Sequence, residues 1–183
     1  MSDHFKKVGP AHCRARKFLT VDSLRQLYFS FLFPYLSYAN IVWGNAAECH
    51  LSTIFILQKR AVRIIYNVRR RISTKYFFHK LNLLRLPEIY KYSVNIFMYK
   101  YHNELLPLPF KNFYAENRDF HSYHTRSAAK LRIPLTRTKI ASSFIKKTGV
   151  SIWSEFSPHI SHEKRIGTFK KDLVSLLIAP YLI

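Results

Sequence analysis

Apolar residues recur at helical spacing along most of the chain. After Thr20 or Asp22 as a cap, Leu24, Leu27, Tyr28, Phe31, Leu32, Tyr35, Tyr38, Ala39 and Val42 share one broad face, with Pro34 placing a kink and Gly44 a stop. This predicts a first, mostly buried helix. A second helix is predicted over about 51–69, with Ile54, Leu57, Ala61, Ile64, Ile65 and Val68 on its apolar side. A short helix follows at 74–81, and Pro87 in a first-turn position opens a third long one to about 105, with Ile89, Ser93, Ile96, Phe97 and Tyr101 on its face. Pro107 and Pro109 end that helix, leaving 110–123 irregular. Within 124–140, Leu131, Ile133 and Leu135 alternate with Arg132 and Pro134, the pattern of a short edge strand or β-hairpin. A helical turn at 151–156 and a last helix at 168–178 close the chain. The expected fold is mainly α, a single helical domain over 20–183, with 1–19 as a lead-in truncated from something longer.

Composition agrees with a folded chain. Of 183 residues 48% are hydrophobic and 16% aromatic, enough apolar surface to offset chain entropy despite a formal net charge of +20. That charge, from 30 Lys and Arg against 10 Asp and Glu, points to a polyanionic partner. Nine cations and no acid lie within 49–87, and seven cations and no acid within 120–154. Local ion pairs cannot neutralise such stretches, so an external anion is the natural counter-charge.

On the second predicted helix, Lys59, Arg63 and Arg70 form a stripe flanked by Arg60 and Arg71, with Arg69 beside it. Phe55 and Tyr66 lie near the same side; they either stack on unpaired bases or pack against a neighbouring helix. A second phosphate clamp is expected at Thr125 and Arg126, followed by Lys130, Arg132, Arg137 and Lys139, because arginine offers bidentate geometry and threonine a hydroxyl. The alternative for Arg126 is to cap helix carbonyls in the core.

Catalytic chemistry finds little support. Nucleotidyl transfer needs paired carboxylates to hold Mg²⁺, and the acids here are dispersed, Glu116 and Asp119 forming a loop pair best read as solvated. The four glycines are too far apart for a phosphate-cradling loop, and His12-Cys13 with Cys49-His50 lack zinc-module spacing. The expectation is no catalytic residue, metal, cofactor or small-molecule substrate. Two cysteines and the absence of a leader-like apolar segment indicate the cytoplasm or nucleus. The uncharged stretch 27–47 has the length of a membrane span, but its interspersed Ser30, Pro34, Ser37, Asn40 and Gly44 weigh against one.

Leu27-Tyr28, then Pro34-Tyr35-Leu36-Ser37-Tyr38-Ala39-Asn40-Ile41-Val42-Trp43-Gly44, then Leu57-Gln58-Lys59-Arg60-Ala61-Val62-Arg63-Ile64-Ile65 form an ordered series. It continues with Thr125-Arg126, Gly149-Val150-Ser151-Ile152-Trp153, Phe169-Lys170 and Tyr181. Over about 18–183 this series resembles the C-terminal region of non-LTR retrotransposon (LINE, jockey-like) reverse transcriptases. The resemblance implies a segment downstream of fingers and palm, making thumb-like and linker contacts to template RNA and target DNA. The family's Tyr/Phe-x-Asp-Asp palm motif and its endonuclease have no counterpart here, so neither activity carries over. Where the family reads Trp-Asn with a Leu-Pro close behind, this chain has Trp153-Ser154 and Phe156-Ser157-Pro158. The expected function is therefore a non-catalytic C-terminal fragment of an RNA-directed DNA polymerase that binds RNA or DNA through phosphates. The alternatives are a scaffold docking the palm domain, or a membrane-associated basic protein.

Overall fold

A computed structural model describes residues 16–120, 126–160 and 165–182. In chain order the helices are α1 Val21–Leu27, a π-helical turn Tyr28–Leu32, α2 Phe33–Ser37, α3 Asn40–Trp43, α4 Glu48–Tyr66, α5 Lys75–Lys80, α6 Leu86–His102, α7 Lys139–Ser143, α8 Ile145–Phe156 and α9 Ile166–Ile178. Single 3-10 turns lie at Leu108–Phe110, Asn117–Asp119 and Ala179–Leu182. The expectation of a mainly α chain holds. The described residues gather into two compact units, one within 16–90 with 174–182 and one within 91–173. Among the described residues no helix is long and apolar enough to cross a membrane.

In the first unit the expected long helix is broken twice. Thr20 Oγ1 accepts from the Ser23 N–H at 3.3 Å and caps α1. Leu24, Tyr28, Leu32, Leu36 and Asn40 are each at most 2% exposed, a four-residue rhythm. Such steps overshoot a 3.6-residue turn by about 40° each, so a straight α-helix could not keep all five on one side. The π turn reverses the drift. Pro34 explains its position: lacking an N–H, it leaves one backbone bond unmade, and Phe33 N–H reaches back five residues to Tyr28 O. The second break is at Tyr38, extended, and Ala39, left-handed at φ 48°. Asn40 Nδ2 then donates to Leu36 O at 2.9 Å and Trp43 Nε1 to Tyr38 O at 2.8 Å, satisfying carbonyls the helix has abandoned. A Cβ on Gly44 would lie 2.7 Å from the Tyr90 ring, so only glycine fits there. As a consequence Phe31, Tyr35, Tyr38 and Val42, expected inside, are exposed.

The centre of this unit is polar. Gln58, expected on no buried face, is fully buried on α4. Its Nε2 donates to Tyr28 Oη and to Leu84 O, both at 2.9 Å, and its Oε1 accepts from Leu86 N–H at 2.9 Å. One side chain thus ties α4 to the π turn and to the loop before α6. Leu24, Val62, Ile65, Phe78, Leu83 and Ile89 of the same unit are likewise buried. Arg25 Nε donates to Leu81 O at 2.7 Å, and Tyr181 Oη accepts from Arg85 N–H at 3.1 Å beneath the Arg85 guanidinium. Burial pushes the Tyr28 phenol far above its ordinary range and Tyr181 up to about 12, so both stay protonated.

The second unit is built on aromatic rings. Ile89 of the face expected for α6 is buried in the first unit, but from residue 91 onward the buried positions are Val94, Asn95, Met98 and Tyr99, whereas Ser93, Ile96, Phe97 and Tyr101 are only half-buried. Tyr99 lies 4.5 Å from Phe169 of α9, and Trp153 of α8 6.2 Å from the same ring, centroid to centroid. Tyr114 Oη donates to Ile145 O at 2.9 Å and passes so close to α8 that a Cβ on Gly149 would lie 2.5 Å from it. In place of the expected strand or hairpin within 124–140, the described residues show one antiparallel bridge between Glu116 and Leu131. Pro134 offers no N–H to extend it. The predicted turn at 151–156 is the end of the longer α8.

Replacing Gln58 with Leu keeps its bulk but strands the Leu84 carbonyl, the Leu86 N–H and the Tyr28 hydroxyl. Since one buried unsatisfied group costs about 1–3 kcal/mol, urea unfolding should show a loss of at least about 2 kcal/mol. A loss below about 0.5 kcal/mol would show that the polar centre is dispensable.

Candidate nucleic-acid interface

Lys59, Arg60 and Arg63 lie on α4, but the helix ends at Tyr66 and not at 69. Asn67 is left-handed at φ 55°, its N–H bonds to Ile64 O at 3.3 Å, and Val68 N–H bonds to Arg63 O at 3.1 Å, the paired bonds of a Schellman stop. The expected stripe is therefore cut. Arg69, Arg70 and Arg71 stand exposed in the turn between α4 and α5, closed by Ile72 N–H to Arg69 O at 3.1 Å. Arg63 faces back toward that turn: Nη2 donates to Ile72 O at 3.2 Å, and its Nε is buried. It braces the turn, contrary to the expectation of an outward-pointing cation.

Aromatic rings lie beside these arginines. Tyr66 packs on Phe77 of α5 at 4.9 Å, with the Lys80 ammonium 5.5 Å from its ring, and Tyr76 meets Phe77 edge-on at 5.5 Å. The reading of Tyr66 as a ring packed on a neighbouring helix is the one realised. Phe55 is covered by the Lys59 ammonium at 4.1 Å. Tyr76 remains 58% exposed, next to exposed Lys75. Tyr66 is raised above its ordinary pKa first by burial, then by nearby Tyr76 and Asp22, which places a carboxylate within electrostatic reach of this surface. Arg69, Arg70 and Arg71 take no part in the ion pairs Arg85–Glu88, Lys91–Glu155 and Arg118–Glu116.

Of the second expected clamp, the structure describes Arg126, Arg132 and Arg137. Thr125 lies outside the described residues. Arg126 is exposed in a turn, which removes the core-capping alternative. Arg132 stacks over the exposed Phe120 ring at 3.7 Å, and Arg137 is exposed just before Thr138, whose Oγ1 caps α7 by accepting from Ala141 N–H at 3.1 Å. Asp119 Oδ2 accepts from the Glu116 N–H at 2.8 Å while Glu116 pairs with Arg118 at 2.6 Å, so these acids cap a turn. Among the described residues no group of three or more His, Cys, Asp or Glu is placed to hold a metal. Cys49 is exposed with a free thiol; Cys13, weighed with it as a zinc ligand, lies outside the described residues.

Lys75, Tyr76, Phe77 and Lys80 belong to this surface, and apolar periodicity alone does not single them out. Their signal is the aromatic run beside lysines in 75–80, legible only once Asn67 is recognised as a helix stop. No family model, curated protein or solved structure matches the chain.

If Arg63 braces the turn and Arg70 does not, Arg63→Gln should lower the melting temperature and Arg70→Gln should leave it unchanged. Equal melting of the two variants would return Arg63 to the set of unengaged surface cations.

Proposed function

We propose that the chain is a non-catalytic module that binds RNA or DNA through phosphate contacts, of the kind that follows the palm in non-LTR retrotransposon reverse transcriptases. Its place of action on this reading is the nucleus or cytoplasm. The observation that carries it is the turn of Arg69, Arg70 and Arg71, three exposed cations outside the ion pairs above, set beside Tyr66, Tyr76 and Phe77. Arginine forks match phosphate oxygens bidentately, and the formal charge of +20 raises the local concentration of polyanions. Lys59, Arg60, Lys75 and Lys80 extend the positive surface along the two flanking helices. A second reading, a scaffold that docks another domain such as the palm, is favoured by the exposed apolar Phe31, Tyr35, Tyr38 and Val42.

Non-specific binding should have a Kd on the order of 10⁻⁴ to 10⁻⁶ M at physiological salt and weaken steeply as salt rises. Converting Arg69, Arg70 and Arg71 together to Gln should weaken it and flatten the slope of log affinity against log salt by roughly 0.7 to 0.9 for each phosphate no longer neutralised. A variant that melts normally and binds with unchanged affinity and slope would remove this turn from the interface.

A further inference from the structure

The second unit contains an open groove of about 810 Å³ that the phosphate-binding surface does not use. This falls within the roughly 300–1,000 Å³ of sites that enclose small ligands. Its lining includes the apolar Leu131, Ile133 and Val150 and the buried Trp153. The His102 imidazole is stacked on Trp153 at 4.9 Å and 23° and is itself exposed. Lys130 and Arg132 also line it, and none of the described lining residues is acidic. Arg132 is pinned from outside by Phe120, which holds its guanidinium flat rather than free to wave in solvent.

An aromatic ring backed by a buried indole, apolar lining residues and two cations suit a ligand that is flat and apolar at one end and anionic at the other. We propose that the groove receives an unpaired nucleotide of single-stranded RNA or DNA, its base stacked against His102 and its phosphate held by Lys130 and Arg132. This rests on the nucleic-acid reading above, and it makes the second unit the part that separates single strands from duplex. In a duplex the bases face one another and cannot enter the groove, whereas stacking of an extruded base adds to phosphate contacts in a sequence-tolerant way.

The test compares three labelled probes on the full chain: a single-stranded 12-mer, an abasic 12-mer carrying the same phosphates, and a 12-base-pair duplex. The base-bearing strand should bind roughly tenfold tighter than the abasic strand, a preference abolished by His102→Ala and retained by His102→Phe. Abasic binding should be unchanged by His102→Ala. Arg132→Gln gives a second route, lowering single-strand affinity more than duplex affinity. Equal binding of base-bearing and abasic strands by the wild type would overturn the groove assignment while leaving phosphate binding standing. Absence of binding to any probe would overturn both. His102-dependent binding of an acidic, aromatic peptide that no oligonucleotide displaces would assign the groove to a protein segment and overturn the proposal as well.

Discussion

The first unit depends on a buried amide. Gln58 makes three hydrogen bonds inside the core, to Tyr28, Leu84 and Leu86, at a place where an apolar residue would leave three backbone or hydroxyl groups unpaired. Hydrophobic contact is tolerant of sliding, but a hydrogen-bonded amide is not, so the register of α4 against the π turn and the loop at 81–86 is fixed there. Fixing α4 also fixes where it ends. The Schellman stop at Asn67 turns the chain sharply, and Arg63 holds the turn by donating to Ile72 O at 3.2 Å. The arginines that follow are presented by this frame, not by a helix face. Their exposure follows from the geometry of the stop.

Packing and hydrogen bonding within each unit account for several residues of the ordered series on which the proposed kinship with reverse transcriptases rests. Leu36, Asn40, Trp43 and Gly44 make the break after Ala39, Gln58 makes the polar centre, Gly149 yields to Tyr114, and Tyr181 seats against Arg85. These are positions with packing or hydrogen-bonding reasons. The ordered series therefore marks a scaffold, and the cations of the proposed interface stand on a turn that the scaffold holds.

The helices were legible where apolar periodicity was strong: α4, α5, α6 and α9 lie close to where spacing placed them. What periodicity could not show was interruption. The π turn needs Pro34 and a four-residue rhythm to be weighed together, and Ala39 adopts a left-handed conformation that nothing about alanine announces. Asn67 was a readable stop, since asparagine tolerates that conformation, and taking it as one dissolves the stripe of Lys59, Arg63 and Arg70. Gln58 was invisible because a glutamine inside an otherwise amphipathic helix is ordinarily a surface residue. The groove could not be read at all, because His102, Lys130 and Trp153 meet only through tertiary packing.

Arginine-selective modification with phenylglyoxal, mapped by peptide mass spectrometry with and without saturating single-stranded RNA, tests the interface most directly. Arg69, Arg70 and Arg71 should react readily in the free protein and be protected by RNA, while Arg85, engaged by Glu88 and Tyr181, should react to the same small extent in both states. Equal modification of Arg69, Arg70 and Arg71 with and without bound RNA would contradict the account.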